Sequence, residues 1–150
     1  MRSLNVISQI YEEDYPEWLE ITLKQLQNRE LENVDWEHLI EEISALGNEQ
    51  RRKVESYLLR LLIHLLLYNY WVSEKEWSGK GWETEIDNFR LELDLLFESK
   101  VLYNYCVQVL DKIYQKARSN AIRKSQLSPD IFPENCPYSL AEILSPEWLP

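Results

Sequence analysis

The sequence predicts an all-α bundle of four to five helices around one long apolar helix. Three observations carry this. The stretch Tyr57 to Val72, YLLRLLIHLLLYNYWV, is apolar on nearly every side, with only Arg60, His64 and Asn69 as strongly polar interruptions, so it has to be enclosed. Apolar residues elsewhere recur at spacings of three and four, the period of an amphipathic helix. With three Gly in 150 residues, the chain has too few breakers for an all-β fold of many turns. The 45% apolar content, with six Trp and nine Tyr, excludes disorder. A chain of this length reads as a single domain, residues 1–150.

Residues 1–13 read as an N-terminal arm laying Leu4, Val6, Ile7, Ile10 and Tyr11 on the bundle. A first helix is predicted from about Asp14, with Pro16 just inside it and acidic residues in its first turn. Trp18, Ile21, Leu23 and Leu26 form its stripe, and it should end before Asn33. Asp35 caps a second helix whose apolar face is Trp36, Leu39, Ile40, Ile43 and Leu46. The three-and-four spacing persists through Gly47 into the apolar run, which predicts a long helix kinked at that glycine. Ser73 to Gly81 shows neither period and reads as the main loop. A fourth helix, from Trp82 or Glu83 to about Ser99, places Trp82, Ile86, Phe89, Leu93 and Leu96 inward and Glu83, Asp87, Arg90 and Asp94 mostly outward. A fifth, from about Lys100 to Arg123, turns Val101, Leu102, Tyr105, Val109, Ile113 and Ala117 inward. From residue 125 to 150, five prolines among Phe132, Tyr138 and Trp148 cannot continue a helix. They predict an extended C-terminal arm packed on the bundle, with one helical turn at Leu140 to Leu144.

The net charge is −10, and residues 1–50 supply most of it, with twelve Asp or Glu against Arg2, Lys24 and Arg29, a balance of −9. Nucleic acid is repelled by such a front. The late cluster Lys112, Lys116, Arg118, Arg123 and Lys124 first of all complements its own helix dipole, with an anionic partner, nucleic acid as its weakest form, the lesser reading. The apolar run is shorter than the roughly 18 to 20 residues of a membrane span. Cys106 and Cys136 are too few for a disulfide framework and not spaced for zinc; Cys106 falls on a buried helix face. The N-terminus lacks the apolar h-region of a secretion signal, so the expected setting is a reducing cytoplasm. No cofactor motif is present.

One polar constellation stands out. Arg60 and His64 lie one turn apart on the apolar helix, and buried charge must be paired. Glu41, Glu42, Asp14 and Glu17 are the candidate partners. A metal site of His64, Glu41 and Glu42, or acid–base chemistry by His64, Glu42 and Arg60, is one reading; bundle cores supply such ligands from facing helices. The repeated Glu-x-x-His spacing is absent, and Glu37 and His38 lie on a more exposed flank. The other reading makes His64 and Arg60 satisfied core groups that fix helix pairing. Trp36, Trp71 and Trp82 are expected in the core or at its rim.

The order of residues resembles a bacterial family, domain of unknown function twenty-nine. The resemblance runs through Tyr11, Asp14 and Trp18; Asp35 and Trp36; Glu41-Glu42-Ile43 before Leu46-Gly47; His64-Leu65-Leu66; Trp82, Ile86 and Arg90; Tyr114 and Ala117; Phe132-Pro133; Cys136-Pro137-Tyr138; and Trp148-Leu149-Pro150. It implies an all-helical bundle of bacterial cytoplasm with no established activity. The chain departs from the pattern after His-Leu-Leu, where Leu67-Tyr68 replaces a common Lys-Trp pair. Two functions are expected from these readings. The first is an acidic interaction module, binding another protein through its front face or aromatic arm, with an antitoxin-like partner of a basic protein as one form. The second is a metal-dependent or acid–base enzyme centred on His64 and Glu42.

Overall fold

The computed structural model describes residues 3–150. All regular structure among them is helical: α1 (Leu4–Glu13), α2 (Tyr15–Gln27), α3 (Trp36–Tyr70), α4 (Val72–Leu96), α5 (Lys100–Ser125) and α6 (Leu140–Leu144), with 3₁₀ turns at Leu31–Asn33 and Pro129–Ile131. The fold is an all-α bundle. It divides into two compact units, one up to Asn48 and one from Glu49 to Pro150, and the division falls within α3.

In the first unit, the expected N-terminal arm is the helix α1 from Leu4 onward, while its first two residues lie outside the described ones. Its apolar residues fall at helical spacing: Ile7 and Ile10 are buried against Trp18, whereas Leu4 and Val6 remain exposed. Asp14 starts α2 as predicted, its carboxylate accepting the Glu17 N–H at 3.2 Å with Pro16 in the first turn. The helix closes on Arg29 at φ 59°, where Glu30 N–H reaches Gln25 O at 2.8 Å and Arg29 N–H reaches Leu26 O at 3.2 Å. That pair of bonds satisfies the last carbonyls of a helix and needs a left-handed residue between them.

Helix α3 runs unbroken for 35 residues through Gly47. The residues on either side, Ala45, Leu46, Glu49 and Gln50, are strong helix formers, and one glycine costs only about 1 kcal/mol against alanine. A Cβ built at Gly47 meets nothing within 4 Å, so no close approach requires glycine there. The predicted apolar face of this segment is not buried: Trp36, Ile40, Ile43 and Leu46 are 47, 61, 60 and 63% exposed.

In the second unit, α3 supplies Val54, Leu58, Leu61, Leu62, Ile63, Leu65, Leu66 and Leu67 to a core completed by Trp82, Ile86, Phe89 and Leu93 of α4 and Cys106, Ile113, Tyr114, Ala117 and Ala121 of α5. The expected main loop, Ser73 to Gly81, is helical instead, the first part of α4. Tertiary contact overrides its weak propensity. Trp71 and Trp82 stack at 5.9 Å, Lys75 lies over the Tyr68 ring at 4.0 Å, and Gly79 is buried beside both Lys75 and Tyr68. Between α4 and α5, the join lacking Gly or Pro is marked by Ser99, whose hydroxyl accepts the Leu102 N–H at 3.3 Å. Val101, expected inward, is 65% exposed.

The C-terminal arm packs into this core through Phe132, Tyr138 and Ile143. An extended segment has no internal partners for its carbonyls, so side chains of the helices supply them. Tyr114 donates to Pro133 O at 2.6 Å, Gln115 to Glu134 O at 2.7 Å, and Arg118 to Phe132 O and Pro129 O at 3.1 and 3.0 Å. Arg90, expected on the outer face of α4, is 4% exposed and donates to Ile143 O and Glu142 O at 2.8 and 3.2 Å. The cation caps the last carbonyls of α6, whose own start carries a capping box between Ser139 and Glu142.

Candidate functional site

The densest polar cluster lies in the first unit, where Asp35 opens α3. Asp35 is 3% exposed, and a buried carboxylate must be hydrogen-bonded. Its Oδ1 accepts the His38 backbone N–H at 3.4 Å; its Oδ2 accepts Trp18 Nε1–H at 3.1 Å and faces His38 Nδ1 at 2.6 Å. A carboxylate only accepts, so the His38 proton sits on Nδ1 and Nε2 is left for another partner, with Glu12 Oε1 at 4.0 Å. The hydrogen bond to Asp35 holds the His38 pKa above its ordinary value against the opposing effect of burial. The imidazole stacks on Tyr11, centroids 3.8 Å apart. Ser8 Oγ also faces Nδ1, at 3.5 Å. A Ser–His–Asp relay needs the hydroxyl on the other ring nitrogen, so these three groups do not form one.

One turn further along α3, Glu42 is fixed between two phenols. Tyr11 donates to Oε1 and Tyr15 to Oε2, each at 2.6 Å. These bonds, Tyr11 first, keep the Glu42 carboxyl below the usual range and push the Tyr11 hydroxyl up to about 12. Tyr15, Trp18 and Glu42 also line a groove of about 360 Å³ between α2 and α3, otherwise walled mainly by Leu19, Leu23, Leu26, Leu39, Ile43 and Leu46. The wall is apolar yet wet: Leu19 and Leu23 are 45 and 56% exposed, like the α3 residues opposite them.

The residues proposed from sequence fall in different units. Glu42 and Glu41 belong to the first unit, and Glu41 is exposed. His64 and Arg60 belong to the second. Arg60, expected to be buried and paired, is exposed, and its backbone carbonyl accepts His64 Nδ1–H at 2.6 Å. His64 leans on Phe89 at 5.5 Å, and burial holds its pKa below the ordinary value. Asp14 is a helix cap. Among the described residues no group of three His, Cys, Asp or Glu could hold a metal ion. Of the tryptophans, Trp82 is core, Trp71 its stacked rim, and Trp36 exposed at the opening of α3. His38, expected on a more exposed flank, is instead half-buried against Asp35; its signal in the sequence is a histidine three residues after a helix-capping aspartate, one turn inside the helix.

The family described as domain of unknown function DUF29 matches residues 10–149. No curated protein and no solved structure matches the chain.

Proposed function

The chain belongs to that family, whose description assigns no activity, and we propose that it works as an acidic protein-interaction module. The observation that carries the reading is the unpartnered apolar face on α2 and α3, Leu19 and Leu23 opposite Ile43 and Leu46, each between 45 and 63% exposed. Scattered exposed leucines need no explanation, but a contiguous groove of them does. The segments that wall it, 15–27 of α2 and 36–48 of α3, carry Glu17, Glu20, Glu37, Glu41 and Glu42 against Lys24, so the partner is basic. An antitoxin-like hold on a basic protein is one form of this. The aromatic arm is a poorer candidate surface, since Phe132 and Tyr138 are buried. No helix among the described residues is long and apolar enough to cross a membrane. A bacterial cytoplasmic setting is part of the same proposal and agrees with Cys106 and Cys136 both being free thiols.

The test is a photo-crosslinking residue at Ile43 in the full chain, expressed in its own host, with a control at exposed Glu98 in the second unit. A basic protein should be captured from Ile43 and not Glu98, and its co-purification should be lost in Ile43→Asp and at high salt. Capture of nothing, or of a second copy alone, overturns the reading.

A further inference from the structure

Resting on that reading, we infer that the α2–α3 groove receives a short amphipathic helix of the partner, and that Glu42 is the fixed carboxylate that takes a Lys or Arg side chain from it. The walls set the shape. Leu19 to Leu26 on α2 and Leu39 to Leu46 on α3 each span seven positions, about 10.5 Å or two turns of helix. Two helices side by side present ridges and a groove that a third helix fills with residues at spacings of three and four. No sheet edge exists among the described residues to bind an extended strand instead.

Glu42 sets the charge. It lines the groove, and its two oxygens are each held by one phenol, Tyr11 and Tyr15 at 2.6 Å. A carboxylate offers about four acceptor sites, so each oxygen keeps one for a cation. The two tyrosines have already ordered the side chain, which removes the entropy loss that makes most exposed ion pairs weak. Next to apolar walls, such a pair is partly desolvated when the groove fills. A second copy of the chain is the poorer occupant, since it would bring Glu20, Glu37 and Glu41 against the same set.

The experiment uses the full chain and two labelled peptides of about three helical turns, both with Leu at i, i+4 and i+7, one flanked by Arg and the other by Glu. Fluorescence anisotropy should give the Arg peptide at least ~10-fold tighter binding than the Glu peptide. Glu42→Gln should shrink that preference to about twofold while hydrogen exchange shows α1 and α2 intact, and Tyr15→Phe, which frees Oε2, should reduce it partway. Ile43→Asp should weaken both peptides by more than ~10-fold. Equal binding of the two peptides, or a preference untouched in Glu42→Gln, overturns the inference. If neither peptide binds while Ile43 still crosslinks a basic protein, the helix-and-cation inference falls and the interaction reading stands. If Ile43 crosslinks nothing, both fall.

Discussion

Among the described residues, the first unit buries four apolar side chains, Ile7, Ile10, Trp18 and Val34; the second buries twenty in one cluster. The small unit is held in large part by hydrogen bonds that converge on carboxylates, with Trp18 and His38 on Asp35 and Tyr11 and Tyr15 on Glu42. The large unit is held by packing, and side-chain hydrogen bonds from Arg90, Tyr114, Gln115 and Arg118 fasten the extended arm. The histidines follow suit. His38, beside a carboxylate, gains its proton more readily than usual, while His64, among leucine and phenylalanine, gains it less readily. Exposed apolar side chains occur in both units, Trp77, Leu91, Leu95 and Val101 among them in the second, while in the first Leu19, Leu23, Ile43 and Leu46 line one groove between α2 and α3.

The sharpest way to break this comparison is Trp18→Ala. Trp18 is fully buried and also donates to Asp35, so its loss should cost about 3–5 kcal/mol in the first unit. Amide hydrogen exchange should show α1 and α2 losing protection while 54–70 and α5 keep theirs. Equal loss in both units would show them to be one cooperative body rather than two.

A smaller effect comes from pH. His38 has its folded pKa raised above about 6.5, so its stabilisation is fully present below that value and disappears as pH rises through the folded pKa. His64 is lowered from about 6.5, so its contribution is present above that value and lost as pH falls through its folded pKa. Mild acid should therefore protect α1 and α2 and loosen the second unit. Ring-proton NMR should find the two titrations on opposite sides of 6.5, the ordinary value. Asp35→Asn should move the His38 titration down and cost the first unit about 1–3 kcal/mol. Should His38 still titrate high in that variant, Glu12 and Glu41 rather than Asp35 would be its principal partners.

The smallest effect is a gain. Gly47→Ala removes a flexible residue from an exposed helix interior with nothing to clash, and thermal unfolding should show α3 stabilised by about 0.5–1 kcal/mol. Destabilisation would mean that a bend at Gly47 matters.

Much of this fold was legible because it follows from local chemistry. Asp14, Pro16 and Asp35 begin helices as such residues do, and the run from Leu58 to Leu67 could only be core. Ser73 to Gly81 was not legible, because Tyr68, Trp71 and Trp82 stabilise a helix that its own residues do not favour. Arg90 misled for a related reason: a charged residue on the polar side of an amphipathic stripe is buried here by an arm more than fifty positions away. The candidate site was half visible. Glu42 was named, but with His64 instead of Tyr11 and Tyr15, since phenols from helices α1 and α2 leave no spacing signature beside a glutamate in α3.

Tyr138 has one more consequence, for the order of events as the chain is made. Its hydroxyl donates to Leu65 O and accepts from Asn69, partners 73 and 69 positions earlier. Leu65, Leu66 and Leu67 are synthesised long before residues 132–143 leave the ribosome to cover the same cluster. Until then the most apolar stretch of the protein is an unfinished surface, and pairing across such sequence separation is slow. Growing chains stalled before Phe132 should bind chaperones that shield apolar helices, and release them once Tyr138 and Ile143 emerge.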